Sequence, residues 1–392
     1  MCGIFGFWLK HKLSEQNIAS GHISTEELYH RGPDSSGFYV NKDEGFFLGH
    51  RRLSIIDQTE GGSQPLALGG SVLAFNGEIY NYIELRQELR ELGEDFLTNS
   101  DTEVLLKGLC KWDNECLNKL DAMFAFVFLH NNSLSLAVDP FGEKPLYYYE
   151  SDAGIYFSSE PAPLIKNLKL KFQPTKQEVA EFLLFGFFLE GRTGYAGLKK
   201  LVPGTILNYD PKNGAKYFRY NRNSFESGDE VLSESNLDEI SHILIKSLKR
   251  RFRSDVPVGI FLSSGVDSSL LAAMSSKELH HEIRTYTIAF PDGVNEAPHA
   301  SAIAKFLKTQ HKTITSSAID LENLPEKLQD IFGVPNDNVT ALSVFRMSQL
   351  AKKDITVALT GSGGDELALG YNKYKFCHEY RKIYAISKKS NS

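Results

Sequence analysis

Cysteine is scarce in this chain: four residues, Cys2, Cys110, Cys116 and Cys377, among 392. They fall at no metal-ligand spacing and are too few for a disulfide framework, which excludes a zinc-stapled or disulfide-stapled fold and suits a reducing cytoplasm. Basic charge is not in excess either. The formal net charge is -6, so no nucleic-acid surface is expected. No apolar run reaches the ~18 residues of a membrane span. The apolar start Cys2-Gly3-Ile4-Phe5-Gly6-Phe7-Trp8-Leu9 has no basic segment before it, so a secretory leader is not expected and the protein should be soluble. At 392 residues and 42% hydrophobic the chain exceeds one ordinary core, and two domains are expected.

The few cysteines leave one thiol to explain. Cys2 follows the initiator Met1, so removal of Met1 makes it the N-terminus, carrying a nucleophile and a base on one residue. The thiolate is the reactive form, and an α-amino group titrates near ~7.7–8.0, so the free amine can take the thiol proton at neutral pH. A Met-Cys start alone is also what any protein can show by chance. From Cys2 to Glu160 the apolar pattern is mostly of period two, as in Val72-Leu73-Ala74-Phe75, Met123 to Phe128 and Gly154-Ile155-Tyr156-Phe157, with Asn131-Asn132 as a hairpin turn. Two helices interrupt these strands. One spans Ile83 to Leu92, and the other opens on Ser100-Asp101-Thr102-Glu103, which reads as a capping box.

Four polar segments lie where these strands end: His30-Arg31-Gly32-Pro33-Asp34, His50 to Asp57 with Arg52, Asn76-Gly77-Glu78-Ile79-Tyr80-Asn81, and Ser100-Asp101. An Arg offers a planar fork to a carboxylate, an Asp accepts from an ammonium, and an Asn amide beside a Gly N–H can donate to an oxyanion. That set suits an α-amino acid whose far end a thiolate attacks. Each also has a plain structural reading: Asn76-Gly77 as a hairpin turn, Asp101 as a first-turn residue favoured by the helix dipole, Arg52 as a surface ion pair.

Together with Cys2, these segments resemble the glutamine amidotransferase domain of the N-terminal-nucleophile class found in asparagine synthetases. The resemblance covers roughly residues 2–210 and includes Gln64-Pro65-Leu66, Asp139-Pro140-Phe141-Gly142 with Pro145-Leu146-Tyr147, Phe157-Ser158-Ser159-Glu160 and Leu201-Val202-Pro203-Gly204. It implies an αββα sandwich, an α+β fold, in which Cys2 attacks the carboxamide of glutamine. Asn76 and Gly77 would then form the oxyanion hole, Arg52 would hold the α-carboxylate, and Asp101 with Glu78 the α-amino group.

Residues 211–235 turn polar, with Pro211, Gly214 and Gly228, and read as a linker to a second domain over 236–392. There Ile240 to Phe252 reads as a helix with Ile243, Leu244 and Leu248 on its apolar face. Next, Val256 to Ala273 reads strand, tight loop, helix, a Ser/Gly loop whose N–H groups and hydroxyls face one spot at a helix N-terminus. Asp267 in such a loop calls for Mg²⁺ between it and a phosphate; a Ser-rich N-cap on a core helix is the alternative. The strands Thr285 to Phe290 and Ile355 to Leu359, with a helix through Ala300, Ile303, Ala304 and Leu307 between them, make a parallel α/β sheet. Ligands gather at the carboxyl ends of such strands, where Asp267 and Thr360-Gly361-Ser362-Gly363-Gly364-Asp365-Glu366 lie. Asp267 and Asp365 are the candidate metal ligands, although Gly363-Gly364-Asp365 also reads as a plain turn.

The loop Ser263-Ser264-Gly265-Val266-Asp267-Ser268-Ser269 resembles the SGGxDSS loop of the ATP pyrophosphatases, a Rossmann-like class, and the second half resembles the synthetase domain of asparagine synthetases. Asn295-Glu296, Thr309-Gln310-His311, Pro335 and Gly370-Tyr371 add to the match. By that resemblance Leu262, Ile288, Thr360 and Gly361 hold adenine and ribose, and Ser263, Ser264, Gly265, Asp267 and Ser268 hold phosphates, with ATP and Mg²⁺ as cofactors. The implied reaction hydrolyses glutamine, adenylates aspartate, and lets ammonia displace AMP to give asparagine, with the oligomeric state open, a homodimer included. Three departures bear on it. Ser264 replaces the loop's second Gly, Ser362 stands where the family commonly has an acidic residue, and family members continue for some 150 residues or more beyond Gly370-Tyr371 whereas this chain stops at Ser392. These departures, with Pro335-Asn336-Asp337-Asn338, keep two alternatives: another carboxylate acceptor such as a sugar acid in surface-polysaccharide assembly, or a glutaminase-only, nucleotide-binding remnant.

Overall fold

The computed structural model describes residues 1–220, 233–279, 282–290, 295–316, 324–338 and 340–390. By packing, the chain forms two compact units. The first holds Met1–Leu232, Arg253–Asp255 and Asn323–Thr340; the second holds Ser233–Phe252, Val256–Glu322 and Ala341–Ser392.

In the first unit the period-two runs become two six-stranded antiparallel sheets. One has the spatial order Leu198–Lys200, Tyr147–Ser151, Gly154–Ser158, Gly3–Leu9, Phe46–Arg52, Ser35–Asn41. The other runs Gly214–Arg219, Thr205–Asp210, Ser133–Val138, Ala122–His130, Ser71–Ile79, Leu66–Leu68. Successive side chains of a strand point to opposite faces. Ile4 and Trp8 therefore meet Val72, Ala74, Val127 and Leu136 between the sheets. Phe5, Phe7 and Phe47 point outward, where Leu28 and Leu164 cover them and the helices Glu15–Glu26 and Pro161–Leu168 pack. On the far side Phe75, Phe124 and Phe126 lie under Leu85, Leu89, Leu105 and Leu109 of the helices Tyr82–Glu91 and Asp101–Trp112. The layers are helix, sheet, sheet, helix, the αββα sandwich that the resemblance implied.

Local expectations are met unevenly. Asn131 and Asn132 both have positive φ, 48° and 56°, and join two antiparallel strands as a two-residue turn. The capping box at Ser100 does not form. Ser100 accepts from the N–H of Thr102, while the Glu103 carboxylate accepts from the N–H groups of Leu97 and Thr98 and from the Thr98 hydroxyl. The preceding turn offers Glu103 several donors against the one of the cap. Gly214–Arg219, inside the segment read as a linker, pairs with Thr205–Asp210 as an edge strand.

The second unit is α/β. Its four-stranded parallel sheet has the order Gln310–Thr315, Arg284–Ala289, Val258–Phe261, Val357–Leu359. The order reverses between the last two, which makes a topological switch point there. Ile260 and Leu262 pack with Ala272, Ala300 and Ala304 of the helices Val266–Glu278 and Ala297–Leu307. Phe261 and Tyr286 pack on the other face with Met347 and Ala351 of the helix Thr340–Ala351. The helix read at Ile240 to Phe252 runs Glu234–Arg251, and of its three expected apolar-face residues only Leu248 is buried, Ile243 and Leu244 being exposed.

Candidate active site

Within the first unit, Cys2, Arg52, Asn76, Gly77, Glu78 and Asp101 line one cleft. Strand register explains the meeting. Gly3 pairs with Arg51, so Cys2 begins its strand beside Arg52, while Asn76, Gly77 and Glu78 pair with Ala125, Phe124 and Met123 on the other sheet. Gln64 ties that strand to the helix Asp101–Trp112, accepting from the Phe75 N–H at 2.6 Å and donating to the Thr102 hydroxyl at 3.2 Å.

The residues around Cys2 hold its main chain, and its sulfur meets the Leu53 backbone, donating to the carbonyl at 3.7 Å. The Arg31 Nε donates to the Cys2 carbonyl at 2.8 Å and its Nη1 to Glu160 at 2.8 Å. His30 Nε2 lies 3.0 Å from the same carboxylate, and the Ile4 N–H donates to the Ser159 hydroxyl at 3.0 Å. The Leu53 N–H donates to Cys2 Sγ at 3.5 Å. Burial pushes the Cys2 thiol up from its ordinary value, opposed by the terminal amine, the Leu53 N–H, Arg52 and Arg31. Burial lowers the Met1 amine to about 6.

Arg52 donates to the carbonyls of Thr59, Ile56 and Asp57. Among the described residues these three bonds leave two of its five N–H groups without an acceptor. A Cβ on Gly62 would fall 1.8 Å from Arg52 Nη2, so only glycine lets this loop close on the guanidinium. Asp101, at the first turn of its helix, accepts from the Ile79 N–H at 3.1 Å, and burial raises its carboxyl to about 6. Asn76 is fully buried, and neither its Nδ2 nor its Oδ1 has a hydrogen-bond partner among the described residues. Such a group costs about 1–3 kcal/mol, and ligand-binding sites are where that cost is tolerated.

Sequence reasoning missed Lys144, which also lines this cleft. It stands between the two quoted segments Asp139-Pro140-Phe141-Gly142 and Pro145-Leu146-Tyr147. A lysine enclosed by apolar and proline-rich neighbours was the available signal. The roles of Gln64 and Glu160 were likewise hidden, because their partners are remote in sequence.

In the second unit the loops after the two switch-point strands meet. A Cβ on Gly361 would lie 2.8 Å from the Ser268 backbone nitrogen, and one on Gly364 2.7 Å from both Asp267 carboxylate oxygens. The first loop is braced internally: Ser263 N–H donates to Ser268 Oγ at 3.1 Å, the two hydroxyls lie 2.8 Å apart, and Gly265 N–H donates to Ser263 Oγ at 3.1 Å. Gly265 gives the helix Val266–Glu278 no side-chain cap. Ser264 has no positive φ, so the missing second glycine costs no backbone strain. Its N–H donates to Glu296 at 3.1 Å, a contact that sequence reasoning did not assign. Leu262 packs its side chain into the helix-side core and Ile288 packs on the opposite face of the sheet. Thr360 is exposed and its hydroxyl donates to Ser362 Oγ at 3.0 Å. Asp365 opens the helix Gly364–Ala368, its carboxylate against Gly370. Among the described residues no three His, Cys, Asp or Glu side chains gather as a metal site. Asp267 lies against Gly364 and Asp365 against Gly370, so the two carboxylates stand on the two loops that meet here.

A thiol, an unpaired amide and an arginine in one cleft of an αββα sandwich define a protein of the glutamine amidotransferase class, and residues 1–220 match the glutamine amidotransferase domain family. Residues 239–390 match the asparagine synthase family. The chain belongs to the family of glutamine-hydrolysing asparagine synthetases. It is 36% identical over 382 residues to asparagine synthetase [glutamine-hydrolyzing] 1 of Bacillus subtilis, covering 96% of this chain and 60% of that protein. It is 30% identical over 403 residues to a putative asparagine synthetase 2 of Methanocaldococcus jannaschii, covering 95% of this chain and 76% of that protein. The chain thus spans about 60% of the length of its B. subtilis relative. The solved structure of a B. subtilis glutamine phosphoribosylpyrophosphate amidotransferase with ADP and GMP aligns at 19% identity and a TM-score of 0.43, covering 80% of this chain and 65% of that one. No described helix is long and apolar enough to cross a membrane.

Proposed function

We propose that the protein transfers the amide nitrogen of glutamine to an ATP-activated carboxylate, with aspartate as the acceptor and asparagine as the product. The observation that carries the glutaminase half is the buried, unpartnered Asn76 amide in the same cleft as the Cys2 sulfur. After loss of Met1, the Cys2 amine takes the thiol proton and the thiolate attacks the carboxamide carbon of glutamine. The carbonyl oxygen becomes an oxyanion, which Asn76 Nδ2 and the Gly77 N–H hold. The amine returns its proton to the leaving nitrogen, ammonia departs, and water hydrolyses the thioester to glutamate. Arg52 holds the α-carboxylate, and Asp101 and Glu78 the α-ammonium.

In the second unit the proposed nucleotide lies at the switch point, its phosphates on Ser263, Ser264, Gly265 and Ser268, its adenosine beside Leu262, Ile288, Thr360 and Gly361. The uncapped helix start and braced hydroxyls support this reading. Mg²⁺ on Asp267 and Asp365 would neutralise phosphate charge. The carboxylate attacks the α-phosphorus and releases pyrophosphate, and ammonia then displaces AMP.

The test measures glutamate, pyrophosphate and asparagine from purified protein given glutamine, Mg-ATP and aspartate, with a Cys2→Ala control. Asparagine formed in step with pyrophosphate, and lost in the control, supports the reading. The stretch Pro335-Asn336-Asp337-Asn338, which departs from the usual acidic pattern of the family, favours a second reading in which another carboxylate is the acceptor. Glutamate without pyrophosphate in the presence of aspartate would mean a broken or differently directed synthetase half, and pyrophosphate release with a different carboxylate would select the second reading.

A further inference from the structure

The loop that holds Arg52 is itself held from 198 positions further along the chain, by Asp255. The N–H of Asp57 donates to the Asp255 carboxylate at 2.8 Å, the Gln58 Nε2 donates to the Asp255 carbonyl at 2.8 Å, and the Asp255 N–H donates to the Ile55 carbonyl at 3.0 Å. On a planar trans peptide the N–H and C=O point opposite ways. A carboxylate that grips the Asp57 N–H from one side therefore turns the Ile56 carbonyl to the other, where it accepts from Arg52 Nη2 at 3.3 Å. The next carbonyl, that of Asp57, accepts from the same nitrogen. Asp57 has φ of 57°, a region that sterics disfavour for a residue with a Cβ, so the turn needs outside support. Two residues before Asp255, Arg253 grips the other side of the cleft. Its Nη1 donates to the Tyr80 carbonyl at 2.9 Å, and its fork meets the Glu84 carboxylate at 2.6 and 2.9 Å. Tyr80 directly follows the strand Ser71–Ile79, which carries Asn76, Gly77 and Glu78. Arg253–Asp255, which packs with the first unit, thus ties the Arg52 loop to the end of that strand.

We propose that Asp255 is a positioning residue for glutamine: by holding the N–H of the Ile56–Asp57 peptide it keeps that peptide's carbonyl on Arg52 and aims the guanidinium at the α-carboxylate. The proposal rests on the glutaminase reading above, in which Arg52 takes that carboxylate. Asp255 is exposed and acts on the ligand only through the loop. A bond from an N–H to a carboxylate is stronger than one between neutral groups, which suits it to holding a strained turn. Without it the peptide can rotate, the two carbonyls leave the guanidinium, and Arg52 is no longer fixed before glutamine arrives. The cost falls on binding, because the Cys2 sulfur and the Asn76 amide are held by other contacts.

The experiment uses the full chain with Met1 removal verified by mass spectrometry, as wild type, Asp255→Ala, Asp255→Asn, Gln58→Ala and, for reference, Arg52→Ala. Glutamine Kd is measured by calorimetry with each change in a Cys2→Ala background, where no hydrolysis occurs. In the active chain, KM and kcat for glutamine are followed together with alkylation of Cys2 by iodoacetamide, which has no α-carboxylate. Asp255→Ala should raise Kd and KM about tenfold and leave kcat and alkylation unchanged. Asp255→Asn, whose amide oxygen still accepts from the Asp57 N–H, should bind as wild type does. Gln58→Ala should raise Kd in the same direction by less, and it carries the test where Asp255→Ala does not fold. An unchanged Kd in Asp255→Ala overturns the proposal. So does a joint fall in kcat and alkylation, which would mean a generally loosened cleft, or an asparagine variant as weak as alanine. An unchanged Kd in Arg52→Ala overturns the proposal together with the role given to Arg52. A chain that binds glutamine and hydrolyses none overturns the glutaminase reading separately, since Kd still reports on Asp255.

Discussion

Asn76 shows what a functional side chain costs a fold. Its buried amide has no partner among the described residues, so Asn76→Ala relieves a penalty of about 1–3 kcal/mol while removing an oxyanion donor. Melting temperature is expected to hold or rise while glutaminase kcat falls roughly 10²–10³-fold; a large loss of stability would point to a structural amide. Asp101 carries a pH signature. Its carboxyl titrates near 6 in the fold against an ordinary 3.8, and only the carboxylate attracts an α-ammonium. KM for glutamine should therefore rise as pH falls through about 6. The same shift has a stability sign. Asp101's contribution is fully present below 3.8 and is lost as pH rises through about 6. Asp101→Asn should consequently melt no lower than wild type at neutral pH, lose that advantage in acid, and show a pH-independent KM.

At the scale of elements, the loop Ile56 to Gly62 is the device that aims Arg52. Three of its carbonyls hold the guanidinium, and Gly62 makes the close approach. Gly62→Ala is expected to raise KM for glutamine at least tenfold with little change in the melting temperature, as steady-state kinetics and thermal unfolding can show together. Hairpins and strands were legible because their determinants are neighbours in the chain: the Asn131-Asn132 turn needs only two residues that tolerate positive φ. The capping box misled for the converse reason. Glu103 had a nearer set of donors at Leu97 and Thr98 that spacing alone does not reveal.

Across the whole molecule the two proposed chemistries are separable. With ammonium salt as nitrogen donor, Cys2→Ala should keep wild-type pyrophosphate and amide formation while losing all glutamine-dependent product. Asp267→Ala should lose pyrophosphate release with either donor and retain glutamine hydrolysis. Product analysis by chromatography decides both, and a Cys2→Ala protein inactive with ammonium would link the halves more tightly than proposed.

The strands, the parallel sheet and the hairpin turn followed from period and turn chemistry, each decided within a few residues, whereas the αββα layering and the roles of the cleft residues came from the family resemblance. The assembly of the cleft followed from neither. Arg31 and Glu160 are 129 positions apart, and Gln64 reaches 38 positions to Thr102. Lys144 lines the cleft on a loop that Asp139 shapes with help from the Phe124 N–H of the neighbouring strand. Local preference acts between near neighbours and leaves a mark in the order of residues, whereas burial, an unpaired amide and a lysine set in a cleft exist only after remote segments have packed around them.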